Sequence, residues 1–417
     1  MSNAEKRKER LHKLIDLALA YCSATKTKLA CQFERDRKHL YPDTDNPKLD
    51  LIIALAEALE WPLDAVVEII REGNGAPARE EAHGDYQSLN AETMAALKHG
   101  EYARMVELAR EMGGLASSGQ ERGRACRLEG IGWDGQGRYT QALAAFRRGL
   151  EVAPLPVTER LALRANLANA PYSLWELASA EGITELLVSH FDRHRPTART
   201  DRGSQAFAHY VRGNALRRLL AVQPEDAPDL ARRALVDLER AEELYLAFVS
   251  DFGAEYLRGI VNTCRGGAWE LQVELGRMKP QHALAQIEEA LGKVGGDAPW
   301  PEGDWLESYG WWCDFGANIA LRHLHGRELH RTIAVLSNKL LEIARCLQNW
   351  ALIERAVSMD YVCTQRVSAE TGVDVPHVLD AEDLKLVTGT IGRFPRFRQA
   401  GWSLIETAAI VPTPKRN

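Results

Sequence analysis

Apolar side chains recur at helical spacing along almost the whole chain. Residues 8–22 place Leu11, Leu14, Ile15, Ala18, Leu19 and Cys22 on one stripe. Ser23-Ala24-Thr25 is a short polar turn able to cap a second helix, which begins near Lys26 and carries Leu29 and Ala30. In the run FERDRKHLY, residues 33–41, Asp36 can cap a short third helix that Pro42 stops. The stretch PDTDNP breaks any period and reads as a loop. Residues 48–60, KLDLIIALAEALE, carry the cleanest amphipathic pattern, and after Trp61-Pro62 a fifth helix runs through LDAVVEIIRE. Residues 73–85, GNGAPAREEAHGD, are glycine-rich, charged and poor in apolar groups, which predicts a linker.

Beyond the linker the pattern becomes one of helical hairpins, with no sustained alternation that would predict strands. Residues 124–154 are the clearest pair. Gly130 sits where two helices must approach closely, Trp133 follows, Gly137 and Tyr139 lie at the turn, Ala142 and Phe146 share one face, and Pro154 closes the unit. A weaker copy precedes it, with His99-Gly100-Glu101-Tyr102 aligning on Gln136-Gly137-Arg138-Tyr139. Residues 160–191, 204–248, 254–294 and 305–347 each offer a further pair, and another helix is expected over 350–368. From about 381 the periodicity is less regular, and the chain ends in a polar, proline-containing tail.

Composition adds boundaries to this picture. A chain of 417 residues is too long for one ordinary core. Hydrophobic residues make up 45% and charged ones 26%, a soluble balance, and no apolar run reaches the length of a membrane span. The charged N-terminus has no apolar signal core, so a cytoplasmic protein is expected. Seven widely spaced cysteines without a CxxC argue against a disulfide framework and against a zinc site. The net charge of −6 conceals a split, because residues 1–40 hold ten Lys or Arg against five acids. A basic end on an acidic body suits a local contact with a polyanion.

Two resemblances rest on these residues. The 124–154 hairpin resembles the tetratricopeptide repeat family, which places small and aromatic residues at these relative positions; its first-helix aromatic would fall here on Cys126. TKTKLACQFERDRKHLY followed by NPKLDLIIALAEALEWPLDAVV resembles the phage-repressor-like helix-turn-helix family. The segment from Ala30 to Pro47 is a few residues shorter than that family's norm, and two registers compete. In the preferred one the short helix around Asp36–Tyr41 reads DNA. In the other, Leu19 and Ala20 belong to the second helix, and Glu34-Arg35 follow the reading helix. The implied fold is all-α: a five-helix helix-turn-helix domain over 1–72, a linker over 73–85, a tetratricopeptide-like α-solenoid over 86–380 and a C-terminal segment over 381–417.

In the preferred register Arg35, Arg37, Lys38 and His39 reach base edges or phosphates, and Lys26 and Lys28 lie near phosphate at the start of the second helix. First helices line the concave face in the repeat family, so Asn166, Asn169, Arg212 and Asn214 face a ligand by that resemblance. Trp300, Trp305, Tyr309, Trp311 and Trp312 form the densest aromatic cluster, with Trp305, Tyr309 and Trp312 on one helical face; packing between repeats competes there with a peptide groove.

Other patterns carry no chemistry. Gly130-x-Gly132-x-x-Gly135 has no strand before it, so it is not a dinucleotide fingerprint. His190 and His194, and likewise His323, His325 and His330, lack the acid that a metal site would need nearby, and Ser23 with Lys26 reads as a helix cap. Neither a cofactor site nor a catalytic constellation emerges. The expected function is a DNA-binding regulator, similar to peptide-sensing bacterial regulators, that acts as a homodimer on double-stranded DNA. Its array would receive a peptide, a small molecule or a partner protein. The competing expectation is an interaction scaffold without DNA binding.

Overall fold

The computed structural model describes residues 3–22, 24–59, 63–71, 85–293, 303–373 and 376–411, and the chain is all-α. It divides into two compact units, Met1–His83 and Gly84–Asn417. Ser23, Trp61, Pro62, Trp300, most of the expected linker and the last residues of the tail lie outside the described residues. No described helix is long and apolar enough to cross a membrane.

The first unit contains α1 (Asn3–Tyr21), α2 (Lys26–Gln32), a 3₁₀ turn (Arg37–His39), α3 (Leu49–Leu59) and α4 (Leu63–Arg71). The stripe from Leu11 to Ala18 on α1 meets Leu29, Leu40, Leu51, Leu55, Leu59 and Val66 in one core. Each buried leucine there contributes about 1.5–3 kcal/mol. Thr25 caps α2, its hydroxyl accepting from the Lys28 amide at 3.3 Å.

The expected third helix is cut to a single 3₁₀ turn. Asp36 does cap it, accepting from the Lys38 amide at 2.8 Å. However, α2 ends in a left-handed residue, Glu34 at φ 53°. The Arg35 amide then closes back on the Ala30 carbonyl at 2.8 Å. That closure and Pro42 leave too few residues between them to nucleate an α-helix. Among the described residues between α1 and α3, the one α-helix is therefore α2, with Glu34-Arg35 after it as in the second register, while Leu19 and Ala20 lie in α1.

The second unit runs through α5 (Tyr86–Lys98), α6 (Tyr102–Leu115), α7 (Gly119–Gly135), α8 (Tyr139–Glu151), α9 (Val157–Ser173) and α10 (Leu177–Arg193). It continues with α11 (Arg199–Leu219), α12 (Ala227–Phe252), α13 (Arg258–Glu274), α14 (Pro280–Leu291), α15 (Gly303–His323) and α16 (Gly326–Leu347). It ends with α17 (Trp350–Thr371), α18 (Ala381–Arg393) and α19 (Arg398–Thr407), and a two-residue parallel pairing joins Val378–Leu379 to Ala409–Ile410. Successive helices pack as hairpins. From α7 to α17 the odd-numbered helices also touch one another in turn, making an inner layer, while the even-numbered ones between them form the outer layer.

The repeat is written into the turns. α5, α7, α9 and α13 all end in the same closure. The amides of Glu101, Arg138, Glu176 and Arg277 turn back onto the carbonyls of Ala96, Trp133, Pro171 and Gln272, at 2.9, 2.9, 2.8 and 2.8 Å. The left-handed position of that motif is Gly100, Gly137, Trp175 and Gly276, at φ 70°, 67°, 66° and 67°. Glycine suits it; a tryptophan there carries strain. Gly130 meets its other expectation, since a Cβ on it would fall 2.3 Å from the Phe146 ring.

The array also closes on itself. A Cβ on Gly137 would lie 2.5 Å from the Trp350 Cβ. Tyr139 and Phe394 place their ring centres 5.6 Å apart. Val387, Phe394, Phe397 and Leu404 share one core with Tyr139, Ala170 and the α15–α17 helices. The C-terminal segment is thus packed between the last long helices and the second hairpin.

Candidate functional site

In the first unit the predicted DNA-facing side chains fall into two groups. Lys26, Lys28, Arg37, Lys38 and His39 are exposed, whereas Arg35 is half-buried and tied to Asp50 at 3.1 Å. Lys26 lies over the Tyr41 ring at 4.7 Å. No described carboxylate pairs with Lys26, Lys28, Arg37 or Lys38. Four unneutralised cations on two adjoining short elements make a local positive surface, on which a phosphate backbone would displace counterions. Gln32, one turn along α2 from Lys28, is exposed on the same helix, and its amide can pair with adenine. In the sequence it is less conspicuous than the basic turn that follows, where Arg35, Arg37 and Lys38 cluster.

In the second unit the charges turn inward. Asp134 on α7, and Asp304 and Glu307 on α15, are half-buried carboxyls of the inner layer. Burial pushes Asp134 and Asp304 each up to about 7, and Glu307 is raised by the same cause. The Glu307 charge adds to the shift at both aspartates. Asn169 donates to both Asp134 oxygens at 3.0 Å, and the Trp311 indole donates to Glu307 at 3.0 Å. Asp304 accepts from the Ile260 amide at 2.9 Å, holding the start of α13. With midpoints near neutral pH, Asp134 and Asp304 can hold or release a proton in response to a cation nearby.

A second inner cluster is basic. Arg217 is fully buried, donates to Glu270 at 2.7 Å and to the Asn214 side-chain oxygen at 3.3 Å, and stands 3.8 Å from Asp314. Glu270 is shared with Arg322 at 3.0 Å. Arg355 is taken up by its neighbour Glu354. Arg218 has no carboxylate of its own among the described residues. One Nη donates to the Tyr172 carbonyl at 3.1 Å, its Nε has no partner, and burial, reinforced by Arg355 and Arg217, lowers its affinity for the proton.

The remaining predicted residues are distributed between these clusters and the packing. Asn169 faces the acidic cluster. Asn214 is 2% exposed, and its amide donates to the Tyr210 carbonyl while accepting from Arg217. Arg212 turns toward the outer helices, bridging Asp237 at 2.7 Å and Glu185 at 2.5 Å. Asn166 is half-buried on α9. Trp305, Tyr309 and Trp312 do form a ladder, with ring centres 6.1 and 5.8 Å apart. Trp312 is core, its indole donating to the Asn262 carbonyl at 2.7 Å, while Trp305 is 38% exposed. His190 and His194 stack on each other at 4.7 Å. The residues missed were Trp175, Arg218 and Arg355; arginine reads as surface by type, and nothing local marks one that is buried.

No family model matches the chain, and no curated protein matches it. Among solved structures, Bacillus thuringiensis PlcR in complex with the peptide PapR7 and DNA is similar at 12% identity, with a TM-score of 0.37 over 79% of this chain and 99% of that one, a likeness too slight to carry anything across.

Proposed function

We propose that this chain is a DNA-binding regulator of the cytoplasm. Its first unit contacts double-stranded DNA, and the inner layer of its helical array receives a peptide, small ligand or partner protein. The observation that carries the reading is the exposed cation set Lys26, Lys28, Arg37 and Lys38, left without carboxylate partners among the described residues beside a well-formed core. Because α2 is the α-helix of that region, α2 is the element assigned to the major groove, with the 3₁₀ turn on the flanking phosphates. As a homodimer the protein would present two such units to half-sites about 34 Å apart.

Titration of labelled duplex DNA from the protein's own promoter tests this. Replacing Lys26 and Lys28 by alanine, or Arg37 and Lys38 by alanine, is expected to weaken binding about tenfold. Every phosphate that no longer meets a cation should also flatten the logarithmic salt slope by about 0.9. Binding that ignores both double substitutions at low salt would reject the surface. Absence of any DNA affinity would favour a scaffold, the reading to which the shortened third helix and the Arg35–Asp50 pair lend weight.

A further inference from the structure

Three guanidinium groups from three separate parts of the chain converge on one indole. The central carbons of Arg355, Arg396 and Arg218 lie 4.4, 4.8 and 4.9 Å from the Trp175 ring centre. Arg218 also covers Tyr172 at 4.0 Å and approaches Trp311 at 5.9 Å. Like charges gathered this closely repel, and the repulsion is strong where water is scarce. Aromatic faces offset part of it, at about 0.5–2 kcal/mol per contact. Glu354 answers Arg355, whereas no ion pair of Arg218 or Arg396 is formed among the described residues, and buried Asp314 acts on Arg218 only through space. Arg218 is 6% exposed, with an Nε that meets no acceptor. Such a buried, unfilled donor on a cation is uncommon and destabilising unless something arrives to fill it.

The ring at the centre is anomalous as well. Trp175, like Glu34 and Gln348, holds a left-handed position, and it does so where glycine stands at the ends of α5, α7 and α13. Strained backbone of this kind persists where surrounding structure enforces it, and it clusters at ligand sites. Exposure is graded through the group: Arg396 is exposed, Trp175 and Arg355 are half-buried, and Arg218 is buried. Arg396 is thus the solvent-facing edge of the group, and Arg218, with its unpartnered Nε, the buried end.

We infer that Trp175, Arg218, Arg355 and Arg396 form an oxyanion site, and that its ligand is a carboxylate of a peptide held against the inner layer. The inference rests on the peptide-receiving reading of the array and names the group by which the peptide is held. The carboxylate is either the chain terminus or an acidic side chain; guanidinium forks suit both.

The test uses the full-length protein and two pooled libraries of synthetic random octapeptides, one with free C-termini and one amidated. Bound peptides are separated by gel filtration and read by mass spectrometry. The wild-type protein should retain peptides from the free-acid pool. Arg218→Gln and Arg396→Ala should each retain about tenfold less, as expected when one charge-assisted hydrogen bond is removed. Arg218→Gln should melt no lower than wild type, since it removes a buried charge that has no ion pair and keeps a donor for the Tyr172 carbonyl. Loss of retention on amidation assigns the terminal carboxylate. Retention of amidated peptides rich in Asp or Glu, abolished in the same variants, assigns the side chain. Peptides retained equally by wild type and both variants would overturn the site while leaving peptide reception standing. Retention of no peptide from either pool would overturn reception and the site together. A lowered melting temperature for Arg218→Gln, with Arg396→Ala indifferent, would reduce Arg218 to a structural part and also overturn the site.

Discussion

The two units place their charges in opposite ways. In the first, lysines and arginines stand in solvent around a small apolar core, and four of them face no described carboxylate. In the second, ionisable groups are drawn into the inner layer, where burial raises carboxyls and strips water from arginines. The lesson is one of range. An outward cation acts at a distance, is screened by salt and tolerates replacement. An inward one acts only on what touches it, and its neighbours must be built to hold it.

Substitutions at four positions break or sharpen that contrast. Phe146→Ala should hit hardest, removing the ring packed against Gly130 and lowering the stability of the second unit by about 3–5 kcal/mol. Leu14→Ala should lower the first unit by about 2–4 kcal/mol, because the side chain is 1% exposed at the centre of its core. The two cores share no residue, so stepwise denaturation should show each substitution moving a different transition; a common shift would dissolve the division.

Asp134→Asn comes next, and its size depends on pH. The folded carboxyl titrates near 7, above its value in an unfolded chain, so it binds its proton more tightly when folded. Its contribution to stability is complete below about pH 4 and disappears as the pH rises through 7. The amide has no such dependence. Asp134→Asn should therefore stabilise by about 1–2 kcal/mol at pH 8, by less at pH 5.5, and not at all near pH 3.5. Equal gains at all three would remove the titration from the account. The smallest effect is a backbone one. Trp175→Gly should be more stable than Trp175→Ala by about 1 kcal/mol, the strain of a Cβ at a left-handed position. Equal melting temperatures would show that position to be relaxed.

Much of the helical organisation was legible in the sequence because it is local. The amphipathic run over 48–60 became α3, Leu49–Leu59, and the Gly130–Phe146 approach and the Gly137 turn stand where the repeat spacing put them. Asp36 was correctly seen as a cap, but a cap does not set how long its helix grows. Pro42 on one side and the left-handed Glu34 on the other decided that. The inner site was not legible for a different reason. Trp175 meets Arg355 and Arg396 only because the array bends round, and no spacing within a hairpin encodes a meeting between residues so far apart. Asn169 and Arg212 were both drawn from first helices, yet one faces Asp134 and the other the outer layer; the family likeness gives the helix but not the side of it.

The closure near Gly137 bears on how the array comes apart. A solenoid held only by neighbours is a one-dimensional object, and its terminal repeats can peel away singly. Here Trp350 and Phe394 are fastened to the second hairpin, so α17 and α18 are held by more than their neighbours in sequence. Unzipping from that side must first break contacts formed across more than half the array's length, and opening the clasp releases several hairpins at once. The same long-range fastening has to form late in folding, since the chain it must close is long. Nascent chains would therefore spend time as open arrays, with Trp350, Phe394 and Tyr139 uncovered, before the clasp shuts.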